Sequence, residues 1–140
     1  MYDAIIVGGG PAGLTSAIYL RRANKKVLVL EANVCGGQIL TAESIENYPG
    51  YINISGFDFS ENIKNQALGL GAEIKYETVL KIDEDKKVYT TNNTYEAKSI
   101  IIAVGSKNRK LNITNEDKFT GRGISYCATC DGNFYKGKDV

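Results

Sequence analysis

Three glycines at fixed spacing constrain this chain more than any other feature. Gly8, Gly10 and Gly13 form G-x-G-x-x-G between the β-rich stretch Tyr2–Val7 and a helical apolar pattern of Ala12, Leu14, Ala17, Ile18 and Leu20. Each glycine has a physical task. Gly8 permits a tight turn out of the strand, Gly10 lets backbone approach a pyrophosphate, and Gly13 lets helix and sheet come close. Pro11 falls in the first helical turn, where a missing N–H costs nothing, and the positive end of the helix would face phosphates. Val27-Leu28-Val29-Leu30 reads as a second strand buried on both faces, ending at Glu31, 18 residues beyond Gly13. A carboxylate there can accept hydrogen bonds from a ribose diol, or it can simply be a solvated strand end. Strand, helix and strand make a βαβ unit. The motif implies a dinucleotide and leaves FAD or NAD(P) open.

Beyond this unit, residues 33–59 read as loop, rich in Gly, Asn and Ser, a length that in a compact domain is usually functional. Ser60 is expected to cap a helix running to about Leu70, with Gly69 and Gly71 ending it. Residues 73–82, 88–91 and 95–104 read as strands, with turns at 83–87 and Asn92-Asn93. The fold class expected is α/β: a Rossmann-like FAD/NAD(P)-binding fold with a parallel sheet and a small antiparallel β-meander.

The absences narrow the chemistry. The chain has no His, which removes the commonest general base and the commonest nitrogen ligand. Three Cys without His cannot build a four-ligand zinc site from sulfur and imidazole, so no metal is expected. Seventeen Lys and Arg balance sixteen Asp and Glu, which excludes the basic footprint of a nucleic-acid binder or of an anionic membrane surface. The longest apolar runs are strand-sized, too short to cross a bilayer, and Met1-Tyr2-Asp3 opens no signal-peptide pattern. A soluble, cytoplasmic protein is expected. Cys127 and Cys130 form C-x-x-C, a spacing that brings two thiols within disulfide reach and suits a redox dithiol; two unremarkable buried thiols are the alternative. Asp131 is the nearest proton donor in a chain without His, although Asp-Gly is also a turn dipeptide. Cys35, beside Gly36-Gly37, reads as a small apolar residue.

The segments Gly8-Gly9-Gly10-Pro11-Ala12-Gly13, Gly36-Gly37-Gln38, Glu46-Asn47-Tyr48-Pro49-Gly50 and Gly121-Arg122-Gly123-Ile124-Ser125-Tyr126-Cys127-Ala128-Thr129-Cys130-Asp131-Gly132 occur in that order. Together they closely resemble the bacterial low-molecular-weight thioredoxin reductases. The resemblance implies that Gly8, Gly10, Pro11, Ala12 and Gly13 hold the FAD pyrophosphate. It also implies that Glu31, Ala32, Gly36, Gly37 and Gln38 run along the ribose and pyrophosphate, that Thr41 and Asn47 lie near the flavin ring, and that Val79 meets the adenine through backbone. Ala103 and Gly105 complete the implied cofactor set. Cys127 and Cys130 would be the redox-active disulfide, reduced by NADPH through the flavin and in turn reducing thioredoxin, with Asp131 as the acid–base residue. A homodimer is expected too, since a sheet without its return strands would leave an unpaired edge or apolar surface open.

Members of that family are roughly twice as long, as two dinucleotide domains require. No second G-x-G-x-x-G occurs in these 140 residues, so the NADPH site is expected to be absent. The expected division is 1–113 as the N-terminal part of the FAD domain and 114–140 as the connection into the NADPH domain, a truncated chain without turnover of its own. The alternatives are a related flavin disulfide reductase (peroxiredoxin-reducing or ferredoxin-linked) and a non-catalytic dinucleotide-binding module.

Overall fold

The computed structural model describes residues 1–128 and 132–139. The chain forms two compact units, Met1–Gly105 and Ser106–Val140. In the first, β1 (Tyr2–Val7), α1 (Pro11–Arg22) and β2 (Val27–Glu31) form the βαβ unit, followed by a 3-10 turn at Gly37–Thr41. Then come α2 (Gly56–Gly69), β3 (Glu73–Tyr76), β4 (Val79–Ile82), β5 (Lys87–Thr90) and β6 (Thr94–Ile102). The six strands lie in the order β3-β2-β1-β6-β5-β4.

β1 is central and parallel to both neighbours, with Ile5 opposite Leu28 on one side and Ile100 on the other. Its side chains alternate between two apolar clusters. Ile6 joins Val29, Leu14, Ala17 and Ala67 on the helix side, while Ile5 and Val7 join Leu28, Leu30, Val88 and Ala97 on the other. Both faces are covered, which is why β1 and β2 read as unbroken apolar runs. Burying each such side chain is worth about 1.5–3 kcal/mol. On the second face Val88 of β5 and Ala97 of β6 join the cluster, and β6 serves two partners. Ala97 to Ile102 pair in parallel with β1, and Thr94 to Glu96 pair antiparallel with β5. The mixed α/β sheet has the expected parallel body and antiparallel meander.

Two elements differ from expectation. The helix α2 begins at Gly56 with Ser55 as its cap, the Ser55 hydroxyl accepting from the Asp58 N–H at 3.0 Å. Ser60 instead sits inside the helix, 2% exposed, donating to the Gly56 carbonyl at 2.7 Å. Both serines precede an apolar period, and only packing chooses between them. The expected strand 73–82 is two strands, because β3 pairs with β2 whereas β4 pairs with β5. The chain changes partners at Glu77-Thr78.

The second unit holds a short helix, α3 (Glu116–Phe119), and a 3-10 turn at Gly132–Tyr135. Glu116, 5% exposed, organises it by accepting from the Leu111 and Asn112 N–H groups at 3.0 and 2.7 Å. Among the described residues no helix is long and apolar enough to cross a membrane. None of their His, Cys, Asp and Glu side chains gather into a metal-holding group.

Candidate dinucleotide site and cysteine pair

β1 ends by pinning its last residues on both sides. The Gly8 N–H donates to the Leu30 carbonyl at 2.8 Å, and the Ala103 N–H donates to the Val7 carbonyl at 2.8 Å. The three motif glycines then divide sharply by what a side chain would meet. A Cβ on Gly8, where φ is 109°, would lie 2.3 Å from the Ala103 carbonyl oxygen. One on Gly13 would lie 2.0 Å from the Gly8 carbonyl oxygen. At Gly10 nothing stands within 4 Å. Gly8 and Gly13 are thus closed against protein, and Gly10 is open. No side chain caps α1 and its first turn carries no acid, while Pro11 occupies the start of the helix. The N-terminal N–H groups and the dipole there favour an anion.

Glu31, at the end of β2, is tied directly to this turn. Its Oε2 accepts from the Gly9 N–H at 2.7 Å and its Oε1 from the Asn33 N–H at 3.0 Å. Each oxygen keeps a further lone pair for a ligand hydroxyl. Gly36-Gly37 closes the turn from behind. The Gly36 N–H donates to the Gly9 carbonyl at 2.9 Å, and a Cβ on Gly37 would stand 3.6 Å from Gly10 Cα. Cys35, 2% exposed, fills the core beside them; burial pushes its thiol pKa up, so it behaves as a small apolar residue.

A cavity of about 170 Å³ opens beside the turn, walled by Gly8, Glu31, Ala32, Val79 and Val104, with Glu77 and Thr78 completing the far side. An open Gly10, an uncapped helix start, a carboxylate and an adjoining cavity are what an adenine dinucleotide such as FAD needs, and the residues present fit it. Gly8, Gly10, Gly13, Glu31, Ala32, Gly36, Gly37, Val79 and Ala103 are brought into one neighbourhood. Gln38 and Thr41 follow on the 3-10 turn, where the Thr41 hydroxyl donates to the Gln38 carbonyl at 3.0 Å. Asn47 lies exposed on a loop closed by the Ile45–Ile54 bridge, and Gly105 is exposed at the end of the first unit, φ 67°. Sequence reasoning missed Glu77, Thr78 and Val104. Nothing local marks them, since Glu77 continues the charged alternation of Glu73 and Lys75 along an apparent strand.

In the second unit Cys127 is half-buried and disulfide-bonded, and its N–H donates to Ser125 Oγ at 3.2 Å. Cys35 is a free thiol. Cys130 and Asp131 lie outside the described residues.

A family model for pyridine nucleotide-disulphide oxidoreductases matches residues 2–139. The chain belongs to that family. Within it, the chain is 50% identical to a thioredoxin reductase of Treponema pallidum, over 99% of its own length and 47% of the relative's. It is similar to a solved thioredoxin reductase of Streptococcus pyogenes, with a TM-score of 0.82, 44% identity, and coverage of 96% of this chain and 45% of that one. It is also similar to a ferredoxin-flavin thioredoxin reductase of Clostridium acetobutylicum, with a TM-score of 0.69, 36% identity, and coverage of 96% and 48%. The chain thus spans about half the length of the curated relatives it matches. The resemblance to thioredoxin reductases expected from the motifs is met by these similarities.

Proposed function

We propose that this chain carries the flavin cradle and the redox disulfide of an FAD-dependent thioredoxin-disulfide reductase. The observation that carries this reading is a disulfide at Cys127, in a C-x-x-C sequence, on the same chain as an open glycine turn at an uncapped helix start. Gly8, Gly10, Pro11, Ala12 and Gly13 would hold the pyrophosphate, and Glu31 would accept from the ribose with Ala32, Gly36, Gly37 and Gln38 beside it. Val79 would meet the adenine by main chain, and Thr41, Asn47, Ala103 and Gly105 would line the flavin side. When bound, FAD supplies a two-electron carrier between a nicotinamide and a disulfide.

The protein's own part is thiol chemistry. The Cys127–Cys130 disulfide takes up two electrons and two protons to give a dithiol. One thiolate then attacks the thioredoxin disulfide, and the second resolves the mixed disulfide, releasing dithiol thioredoxin and restoring the original bond. Asp131 holds or delivers the proton at this site in place of the absent histidine. Because residues 1–140 contain one G-x-G-x-x-G, turnover with NADPH needs a second dinucleotide site beyond them, and residues 1–113 and 114–140 would belong to the FAD and NADPH domains respectively. We assign the protein to the cytoplasm, as suits a redox dithiol, and to a homodimer, in which the open sheet edges at β3 and β4 would be covered. Light scattering checks the homodimer.

Replacement of Cys130 by Ser in the complete reductase is expected to abolish thioredoxin reduction while the flavin absorbance is retained; normal turnover would sink the dithiol assignment. A second reading, a ferredoxin-linked reductase, is favoured by the similarity to the Clostridium acetobutylicum protein. Reduction of the bound flavin by NADPH, as against reduced ferredoxin, separates the two.

A further inference from the structure

Glu77 is a buried carboxylate that the chemistry proposed above does not use. It is 8% exposed, and it stands where the chain leaves the parallel sheet for the meander. Its hydrogen-bond donors all lie on the β5–β6 hairpin, and the Lys75 charge on β3 adds to them. Oε1 accepts from Tyr95 OH at 2.7 Å and from Asn93 Nδ2 at 3.0 Å, and Oε2 accepts from the Thr90 hydroxyl. These donors, the Thr90 hydroxyl foremost, hold the Glu77 pKa below the ordinary carboxylate value. Lys75 Nζ extends the network by donating to Tyr95 OH at 3.2 Å. A main-chain bond beside it, from the Thr91 N–H to the Thr78 carbonyl at 3.0 Å, ties the same two segments together.

Residues 77–79 also form the wall of the cavity that faces Gly8 and Glu31. With both carboxylate oxygens engaged by the hairpin, Glu77 has its bonding capacity turned away from a ligand and into the fold. A buried carboxylate whose hydrogen-bond donors all come from one hairpin sets register at a point where sheet pairing changes, because any slip would leave a charge unpaired.

We propose that Glu77 is a positioning residue for the adenine end of the cofactor, clamping the 77–79 main chain to the β5–β6 hairpin so that this wall stands at a fixed distance from the glycine turn. The inference rests on the reading of the site as an FAD cradle. It assigns Glu77 no contact with the reacting atoms.

The experiment measures binding of ADP and of FMN separately to flavin-free protein, by calorimetry, for the parent, Glu77→Gln and Tyr95→Phe. Gln keeps the volume and removes the charge; Phe keeps the ring and removes one donor to Glu77. The expected result is ADP affinity about tenfold weaker in Glu77→Gln and about threefold weaker in Tyr95→Phe, with FMN affinity unchanged in both. ADP affinity equal to the parent's in folded Tyr95→Phe overturns the proposal. So does a parallel loss of ADP and FMN affinity that tracks a lowered Tm, since that marks a purely structural role. Should Glu77→Gln not fold, Tyr95→Phe decides. A parent protein that binds neither ADP nor FAD instead overturns the cradle reading itself.

Discussion

The glycine turn after β1 and the wall it faces across the adjoining cavity are built on different principles. The glycine turn is made of residues close in sequence, shaped by what is missing: at Gly8 and Gly13 a single added carbon would meet carbonyl oxygen at 2.3 and 2.0 Å. The opposite wall, residues 77–79, is shaped by what is present. There a carboxylate gathers Thr90, Asn93 and Tyr95 from up to 18 residues away. The first is a steric solution and tolerates no extra volume. The second is an electrostatic one and tolerates no lost partner.

Substitutions test that contrast. The largest effect is expected from Gly13→Ala, whose methyl must push helix from sheet. A loss of about 3 kcal/mol in unfolding free energy and of flavin retention should appear together in a denaturant melt and an absorbance spectrum. Glu77→Ala follows, with about 2 kcal/mol lost because the buried Thr90 hydroxyl and the half-buried Tyr95 hydroxyl lose their acceptor. A smaller change would mean that water replaces the carboxylate there. Gly10→Ala sharpens the comparison from the other side. Its φ is ordinary and its surroundings are open, so stability should stay within about 0.5 kcal/mol while FAD affinity drops about tenfold or more. Unchanged affinity would mean that no phosphate approaches Gly10.

The smallest effect expected is on pH dependence. The folded-state pKa of Glu77 is lowered, so the stabilisation it contributes is fully present above the carboxylate's ordinary range and is lost as pH falls through the lowered value. Melting curves below about pH 4.5 should therefore be flatter in Glu77→Gln than in the parent. Coincident curves would show that Asp3 and Asp83, whose pKa values are also lowered, carry the acid sensitivity instead.

Much of the βαβ unit was legible because its causes are local. β1, α1, β2 and the glycine turn follow from apolar runs, Pro11 and spacing, and Glu31 follows from its distance to Gly13. The start of α2 was less legible, since Ser55 and Ser60 are both competent caps and the choice depends on which one faces the core. The strand break at Glu77-Thr78 was not legible at all. Residues 73–82 have strand composition throughout, and nothing in them records that β3 and β4 have different partners.

By itself, then, the sequence determined the βαβ unit, the glycine turn of Gly8, Gly10 and Gly13, and the C-x-x-C spacing, because sterics and short spacings act along the chain. Only the tertiary structure decided where β6 hands over from β5 to β1, which serine caps α2, and that Glu77 is a buried anchor instead of an exposed strand residue. Those outcomes depend on contacts between segments distant in sequence, and a carboxylate's role is set by the donors that the fold brings to it.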